Sequence, residues 1–513
     1  MREILFEKEA RDKLRKGVEL VANAVRITMG HKGRAVLIPK ASPIFTLDGV
    51  TVAQAVTEVE DEFENMGIQL VKKVAQGTDD QAGDGTTTAT VLTSALLARG
   101  LDGVELKIDP IVMKKAFEDG TKLVLAEVKR KAKAVKTKEQ MMAIATISSR
   151  DEEIGALVAG LYDQLGKDAL ITTEEVKTIG VDTEIMEGMK VDNGWAIPHF
   201  ITNFERKLAQ IEDAHILVTT QNINTNNDLP LQVMEEVMRT DSKSLVIVAE
   251  DVQGEALATM ALNNRNRVMN ILVIKAPGLG DNKRAHLEDI CAMTGATLIT
   301  EEIGMRVENA AMENLGRAKR VIAHQNRSII IGGKGKKSDI EGRIKQIEND
   351  KKNTESKMRV TLLEKRIAKL KGRVAIIRVG DVTDDAAKEK MYRIEDAVKS
   401  TRSAIEEGVV EGGGMALYRA SKVLDVEIEK AKDNNYRFGL TVLREAIRRP
   451  AEQILENAGE DAKVVLSHDY KVDAHVIDPA KVERVALELA VSTVGLFLIT
   501  GAVIADVREK KTK

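Results

Sequence analysis

The chain has 513 residues, 43% hydrophobic and 31% charged, which allows about three globular domains with sizeable cores. Aromatic residues make up only 3%, so those cores must be built from Val, Ile, Leu, Ala and Met. The formal net charge of −3 excludes a general nucleic-acid binder, and no run reaches the ~18 apolar residues of a membrane span, so neither nucleic acid nor membrane is expected as a partner. The lone cysteine, Cys291, excludes an internal disulfide framework and fits a reducing compartment. Met1 to Glu7 lacks the apolar run of a signal peptide, and the nearest histidine pair, His468 and His475, lacks zinc-like spacing.

Residues 9–29 show helical spacing through Leu14, Val18, Val21 and Val25, and the pattern stops at Gly30. A short strand is expected at 35–38, and Asp48-Gly49 reads as a turn before Val50, Thr51 and Val52. Two helices, over 62–80 and 86–104, flank a Gly-Asp-Gly turn, and Pro110 opens another that runs to about Lys133. From Thr146 to Gly188 short helices and strands alternate. From about 190 to 372, strand-like runs at 215–218, 245–248, 271–274 and 297–300 are separated by helices, which is α/β organisation. Residues 339–371 read as a charged helical hairpin with stripes Ile340/Ile344/Ile347 and Leu363/Ile367/Leu370. After Arg373 the chain reads as helical almost to a last strand candidate at 502–507. Nested insertion gives this order: the first and last segments form one domain, with the others inside it.

Gly83-Asp84-Gly85-Thr86-Thr87-Thr88 is a phosphate site by composition. The glycines permit close backbone approach and positive φ, Asp84 reads as a Mg²⁺ ligand, and the threonines open a helix whose free N–H groups favour an anion. An ordinary Asp/Thr helix cap would use the same residues, and the Gly-Lys-Ser/Thr of a Walker A loop does not occur. Thr28 to Arg34, with two glycines and basic side chains, suits either a second phosphate loop or a helix C-cap. Asp396 lies on a helix with Ile394, Ala397 and Val398 as its apolar face, where a plain surface aspartate would also fit. Glu406 to Gly414 ends in three glycines, suited to laying backbone against a ligand or to a flexible helix junction.

With 249–259, 275–281 and 301–305, these stretches closely resemble the group I chaperonins, the family of bacterial GroEL, nearly end to end. The resemblance implies an α/β multidomain protein. A mostly helical equatorial ATPase domain would comprise 1–132 and 407–513, a small α/β intermediate domain 133–187 and 374–406, and an inserted α/β apical domain 188–373. It implies a chaperone that folds non-native proteins in seven-membered rings, with ATP, Mg²⁺ and K⁺ as cofactors, in the cytoplasm of a bacterium or a phage-infected cell. Residues 190–373 carry no long insertion that could form a built-in lid, so a separate ten-kilodalton co-chaperonin is expected.

The resemblance also implies roles. Asp84 would hold Mg²⁺; Gly85, Thr86, Thr87 and Thr88 would cradle phosphates, with Thr28, Met29, Gly30 and His31 on the other side. Thr28, Thr87 and the carbonyl of Leu47 would line a K⁺ site. Asp48 and Asp396 would orient the attacking water, Asp396 as a weak base of normal pKa that arrives by domain closure. Gly413, Val476 and Asp478 would flank base and ribose. Gly188 and Gly372 resemble hinges, and Asp151 and Arg393 a pair that senses closure. A client groove would use Trp195, His199 and Phe200 in a loop, Leu231 and Met234 in one helix, and Leu257, Ala261 and Leu262 in another; spacing alone would serve a helix core equally well. The terminal strands, 2–7 and 502–508, would pair in a neighbour's sheet. There are departures. His31 stands where the family usually has proline, the segment before Val476 is short, and Glu452 and Asp461 are both acids where the family forms an inter-ring salt bridge.

Overall fold

The computed structural model describes the chain except residues 1, 40–43, 58, 168, 205, 279, 355, 469, 474–475 and 507–513, so His475 and the end of the last strand candidate lie outside the described residues. It divides into two compact units, Met1–Asp163 with Tyr392–Lys513, and Gln164–Met391. The second unit is one continuous segment between the two parts of the first, and residues 133–187 and 374–406 each fall partly in one unit and partly in the other.

The first unit starts with β1 (Arg2–Phe6) and α1 (Glu7–Arg26), which buries Leu14, Val18, Val21 and Val25. The hairpin of β2 (Val36–Ile38) and β3 (Ile44–Thr46) leads to α2 (Gly49–Ala55). The Asp48-Gly49 turn is thus a helix start: the Asp48 carboxylate accepts from the N–H groups of Val50 and Thr51 and satisfies the open end of α2. α3 (Glu62–Ala82), capped by Asp61, packs on α1 where Gly17 and Gly67 lie in the interface; a Cβ on Gly17 would stand 2.0 Å from the Glu64 carbonyl oxygen. α4 (Thr86–Glu105), α5 (Pro110–Lys131), α6 (Lys138–Ser149) and α7 (Glu152–Leu165) follow. Asp109 before Pro110, and the Thr137/Gln140 capping box, fix where α5 and α6 begin.

The second unit runs β4 (Leu170–Glu175), β5 (Gly180–Val191), β6 (Ala209–Thr219), β7 (Asn222–Ile223), α8 (Leu231–Met238), β8 (Ser244–Ala249), β9 (Asp251–Val252), α9 (Gly254–Arg265), β10 (Asn270–Lys275) and α10 (Asp281–Thr294). It continues with β11 (Leu298–Ile299), β12 (Gly316–Ala323), β13 (Ser328–Gly333), α11 (Lys337–Lys352), α12 (Lys357–Leu370) and β14 (Arg373–Gly380). One nine-stranded sheet has the order β10-β8-β6-β12-β13-β5-β14-β4, with β11 also on β6. β10, β8 and β6 are parallel; β8 is buried throughout, and so are Ile271 to Ile274 and His215 to Val218 beside it, as expected of strands covered on both faces. The strand β14 corrects the reading that the chain is helical directly after Arg373: Val374, Ile376 and Ile377 are β-branched and pair with β4 and β5. The helical hairpin is present as α11 and α12, fastened to α10 by Asp289, which accepts from Arg343 Nε at 2.9 Å and Arg366 Nε at 2.7 Å. Gly188 donates to the Gly372 carbonyl at 3.2 Å where β5 passes from β14 to β13, so the two hinge candidates face each other.

The return leg starts with α13 (Asp384–Glu407), which contains the unit boundary, and β15 (Val409–Glu411). α14 (Met415–Ala420), α15 (Val423–Lys430), α16 (Asn434–Ala446), α17 (Arg449–Asn457) and α18 (Ala462–Ser467) precede β16 (Ile477–Pro479), α19 (Ala480–Leu498) and β17 (Ala502–Asp506). β1 and β17 pair with each other, antiparallel, with Ile4 opposite Ile504. Glu452 pairs with Arg449 at 2.7 Å, and Asp461 caps α18, so both acids have partners inside the chain. Among the described residues, no helix is long and apolar enough to cross a membrane.

Candidate functional site

Gly83 ends α3 and Gly85 starts α4, both left-handed, at φ 76° and 83°. Asp84 between them projects from a turn that an L-residue at either flank would strain. α4 begins without any side-chain cap, so its first N–H groups remain donors for an anion. Asp84 is thus no cap for α4; its carboxylate accepts from the Gly85 N–H at 2.6 Å and from Ser400 Oγ at 3.1 Å. Gly49 lies against the same turn, where a Cβ would stand 2.3 Å from Thr87 Oγ1 and 2.8 Å from Thr86 Oγ1, and this brings the Asp48 corner to the threonines.

Acid groups gather here. Close packing around Asp84, reinforced by Asp79 and Asp48, raises its pKa although its rim is open to solvent. Burial, then the Asp48 charge, holds Asp396 well above the usual carboxylate range, with Lys399 opposing. The expectation of a normal pKa for Asp396 is therefore corrected. The Tyr392–Lys513 segment that carries it lies in the same compact unit as Asp84. Asp151 and Arg393 do meet, at 3.8 Å.

On the other flank, β15 and β16 pair Val410 with Asp478, and the Gly413 N–H donates to the Asp478 carboxylate. Burial and the Asp84 charge raise Asp478 to about 7. Gly412 donates to the Val476 carbonyl at 2.9 Å, and the Val476 side chain is 39% exposed beside these glycines. Thr28 and Met29 are buried; the Thr28 hydroxyl donates to the Val25 carbonyl, and Asn457 holds the Met29 carbonyl at 2.9 Å. Gly30 is left-handed and His31 is exposed in this loop. No hydrogen bond joins it to the Asp84 turn among the described residues.

Sequence reasoning missed Glu483. It is 3% exposed on the first turns of α19, its Oε2 has no hydrogen-bond partner among the described residues, and burial with the charges of Asp478 and Asp84 raises it to about 8. The signal was available, because Ala480, Glu483, Leu487, Ala490, Val494 and Phe497 form one buried stripe.

The second unit carries the groove candidates, and they separate by burial. Phe200 (0% exposed), Met234 and Ala261 are in the core, whereas Leu231 and Leu262 are each 56% exposed. Trp195 and Leu257 pack partly on that core, and His199 is exposed.

A model of the TCP-1/cpn60 chaperonin family matches residues 21–471. In structure the chain is similar to the chaperonin gp146 from the bacteriophage EL 2 (Pseudomonas aeruginosa), crystallised in the presence of ATP-BeFx, with a TM-score of 0.72, 22% identity, and coverage of 98% of this chain and 99% of that one. Both the multidomain α/β architecture and the span of the family match agree, and the chain belongs to the TCP-1/cpn60 chaperonin family.

Proposed function

We propose that this chain is an ATP-hydrolysing, ring-forming chaperone that captures non-native proteins on its second unit and encloses them under a separate lid protein. The observation that carries the reading is the uncapped start of α4 at the Gly83-Asp84-Gly85 turn, with Asp48 and Asp396 close enough to act on Asp84 electrostatically. The residues fit a nucleotide phosphate with Mg²⁺. Free N–H groups suit the anion, and an excess of carboxylates suits the cation. Among the described residues, no three acid, His or Cys side chains form a metal cage, so Mg²⁺ on Asp84 would complete its shell from phosphate and water. When bound, Mg²⁺ supplies charge neutralisation at the phosphates. Thr86, Thr87 and Thr88 hold the phosphates, while Asp48 and Asp396 orient water and accept its proton. Thr28, Thr87 and the Leu47 carbonyl offer oxygens to K⁺. Gly413, Val476 and Asp478 take base and ribose. Mg²⁺-dependent ATP turnover, with rings in electron micrographs and suppressed aggregation of a denatured client, tests the reading; purified protein lacking all three would sink it.

The client surface rests on Leu231 and Leu262, with Trp195, Leu257 and His199 beside them and Phe200, Met234 and Ala261 as support beneath. Leu262→Glu is expected to leave fold, rings and basal ATPase intact, because the side chain is 56% exposed, yet to abolish client capture and lid binding. Undiminished suppression of aggregation by this variant would remove Leu262 from the client site.

Assembly draws on the β1/β17 ribbon, whose outer edges pair with no other strand among the described residues and whose Ile4, Phe6 and Ile504 are exposed. Deleting residues 2–7 is expected to leave monomers or unstable rings on a sizing column. A deletion variant eluting as intact rings would show that the ribbon is dispensable.

A further inference from the structure

The roles assigned above leave Glu483 unused. Its place follows from how α19 lies on α4. A Cβ on Gly85 would stand 2.4 Å from Val482 Cγ1, and a Cβ on Gly100 would stand 2.9 Å from Leu498 Cδ2. The two helices therefore run side by side in the same direction, and both begin at the Gly83-Asp84-Gly85 turn. Glu483, at the fourth position of α19, is level with the first turn of α4, whose N–H groups have no side-chain cap. Its neighbours along the chain look elsewhere. Lys481 Nζ donates to Glu406 at 2.7 Å, and Arg484 donates to Glu407 at 2.6 Å and to Glu488 at 2.8 Å. Glu483 instead heads the buried stripe of Leu487, Ala490 and Val494. It is 3% exposed, and its Oε2 has no hydrogen-bond partner among the described residues. The charges that act on it are those of Asp478 and Asp84, with no basic side chain among them.

A buried carboxyl oxygen without a donor is costly, and a water or an ion from outside the chain is what ordinarily relieves it. Three carboxyls around one helix start suit a cation. Among the described residues, no three acid, His or Cys side chains can hold a metal together, so Glu483 reaches a cation on Asp84 only through water. Mg²⁺ suits that arrangement, because it sheds its waters reluctantly and usually keeps several. We propose that Glu483 is a positioning residue of the cation site: its Oε2 accepts a hydrogen bond from a water in the shell of the Mg²⁺ that Asp84 holds. The proposal rests on the reading of this turn as a Mg²⁺–nucleotide site. Partners of this outer kind fix the direction of a bound water and raise the affinity of the site for its cation. Glu483 would do so from α19, a helix that contributes none of the phosphate contacts proposed above.

The test measures binding of the non-hydrolysable ATP analogue AMP-PNP to wild type, Glu483→Gln and Glu483→Leu at one neutral pH. Each is measured in excess Mg²⁺ and in EDTA, and the ratio of the two affinities is the gain that the cation brings. Wild type is expected to show such a gain. Glu483→Leu is expected to shrink it roughly 10-fold, with affinity in EDTA equal to or above wild type because a like charge has gone. Glu483→Gln keeps the shape and one acceptor oxygen but carries no charge, so a several-fold loss of the gain is expected. A glutamate that served only the fold would move both affinities together. The proposal is overturned if the variants keep the wild-type gain, whether their affinities are unchanged or fall equally in Mg²⁺ and in EDTA. Should Glu483→Leu not fold, Glu483→Gln, which has the same shape, decides alone. Wild type that binds AMP-PNP equally well in Mg²⁺ and EDTA, or does not bind it, would reject the Mg²⁺–nucleotide reading and this role with it. Wild type with a gain that the variants retain would reject the role of Glu483 alone.

Discussion

Asp396→Ala is expected to slow ATP turnover by roughly 10²-fold or more while nucleotide still binds, and Asp84→Ala to reduce turnover to near background. The two losses have different causes. Asp84 is the acid at the start of α4, and without it the turn has N–H donors for phosphate but no anchor for a divalent cation. Asp396 stands among Asp48, Asp79 and Asp84, and burial with these like charges keeps its proton affinity well above that of a free carboxylate. A base of raised pKa removes a proton from water more effectively near neutral pH than an ordinary aspartate does. Because the unprotonated form is the active one, kcat should fall as pH drops through the raised pKa, and this acid limb should vanish in Asp396→Ala. Unfolding cannot mimic the result. Removing one member of an acidic cluster relieves repulsion, so the melting temperature of Asp396→Ala should match or exceed wild type. A variant that hydrolyses ATP at the wild-type rate would strip Asp396 of its role; equal losses of rate and analogue binding in both variants would mean the turn had collapsed.

The helices of the first unit were readable because their caps and periods agree. Asp61 and Asp109 each precede an apolar stripe and each does cap the helix that follows, whereas the helix capped by Thr137 was not read from the sequence. The buried parallel strands were readable from continuous Val, Ile and Leu runs. Asp48-Gly49 was misread because the same dipeptide serves a turn and an N-cap, and only the Val50 and Thr51 N–H groups decide between them. β14 was missed because it joins a strand, β4, that lies about 200 residues earlier, a pairing no local pattern carries. The Gly83-Asp84-Gly85 turn was visible as composition, while the Lys399–Asp79 pair was not: its partners are 320 residues apart and either alone reads as a solvated charge. Phe200 and Met234 show the limit of helical spacing, which marks an apolar face but not whether that face looks inward or outward.

Glu483→Gln is expected to stabilise the nucleotide-free protein at alkaline pH and to leave it nearly unchanged at acid pH. Glu483 and Asp478 stand at the fourth position inside α19 and the position before its cap, two sites that helix starts bring together, and both are carboxyls. Burial and the charges of Asp478 and Asp84 raise Glu483 from the ordinary 4.5 to about 8. At pH 6 the folded protein therefore holds a proton there that the unfolded chain has already lost. Stability falls as pH rises wherever the native state binds more protons. The contribution is complete below about pH 4.5, declines between 4.5 and 8, and is gone once the folded group titrates. At about 1.4 kcal/mol per pKa unit the decline from 8 to 4.5 amounts to roughly 5 kcal/mol. Glutamine has the shape and the donor of the protonated acid but cannot ionise, so the variant should escape the decline. Urea midpoints for the two proteins should coincide near pH 5 and separate towards pH 9, with the variant the more stable. Parallel curves across that range would mean that Glu483 is ionised in the folded state at neutral pH, and that its unpartnered Oε2 finds a donor when the protein is in solution.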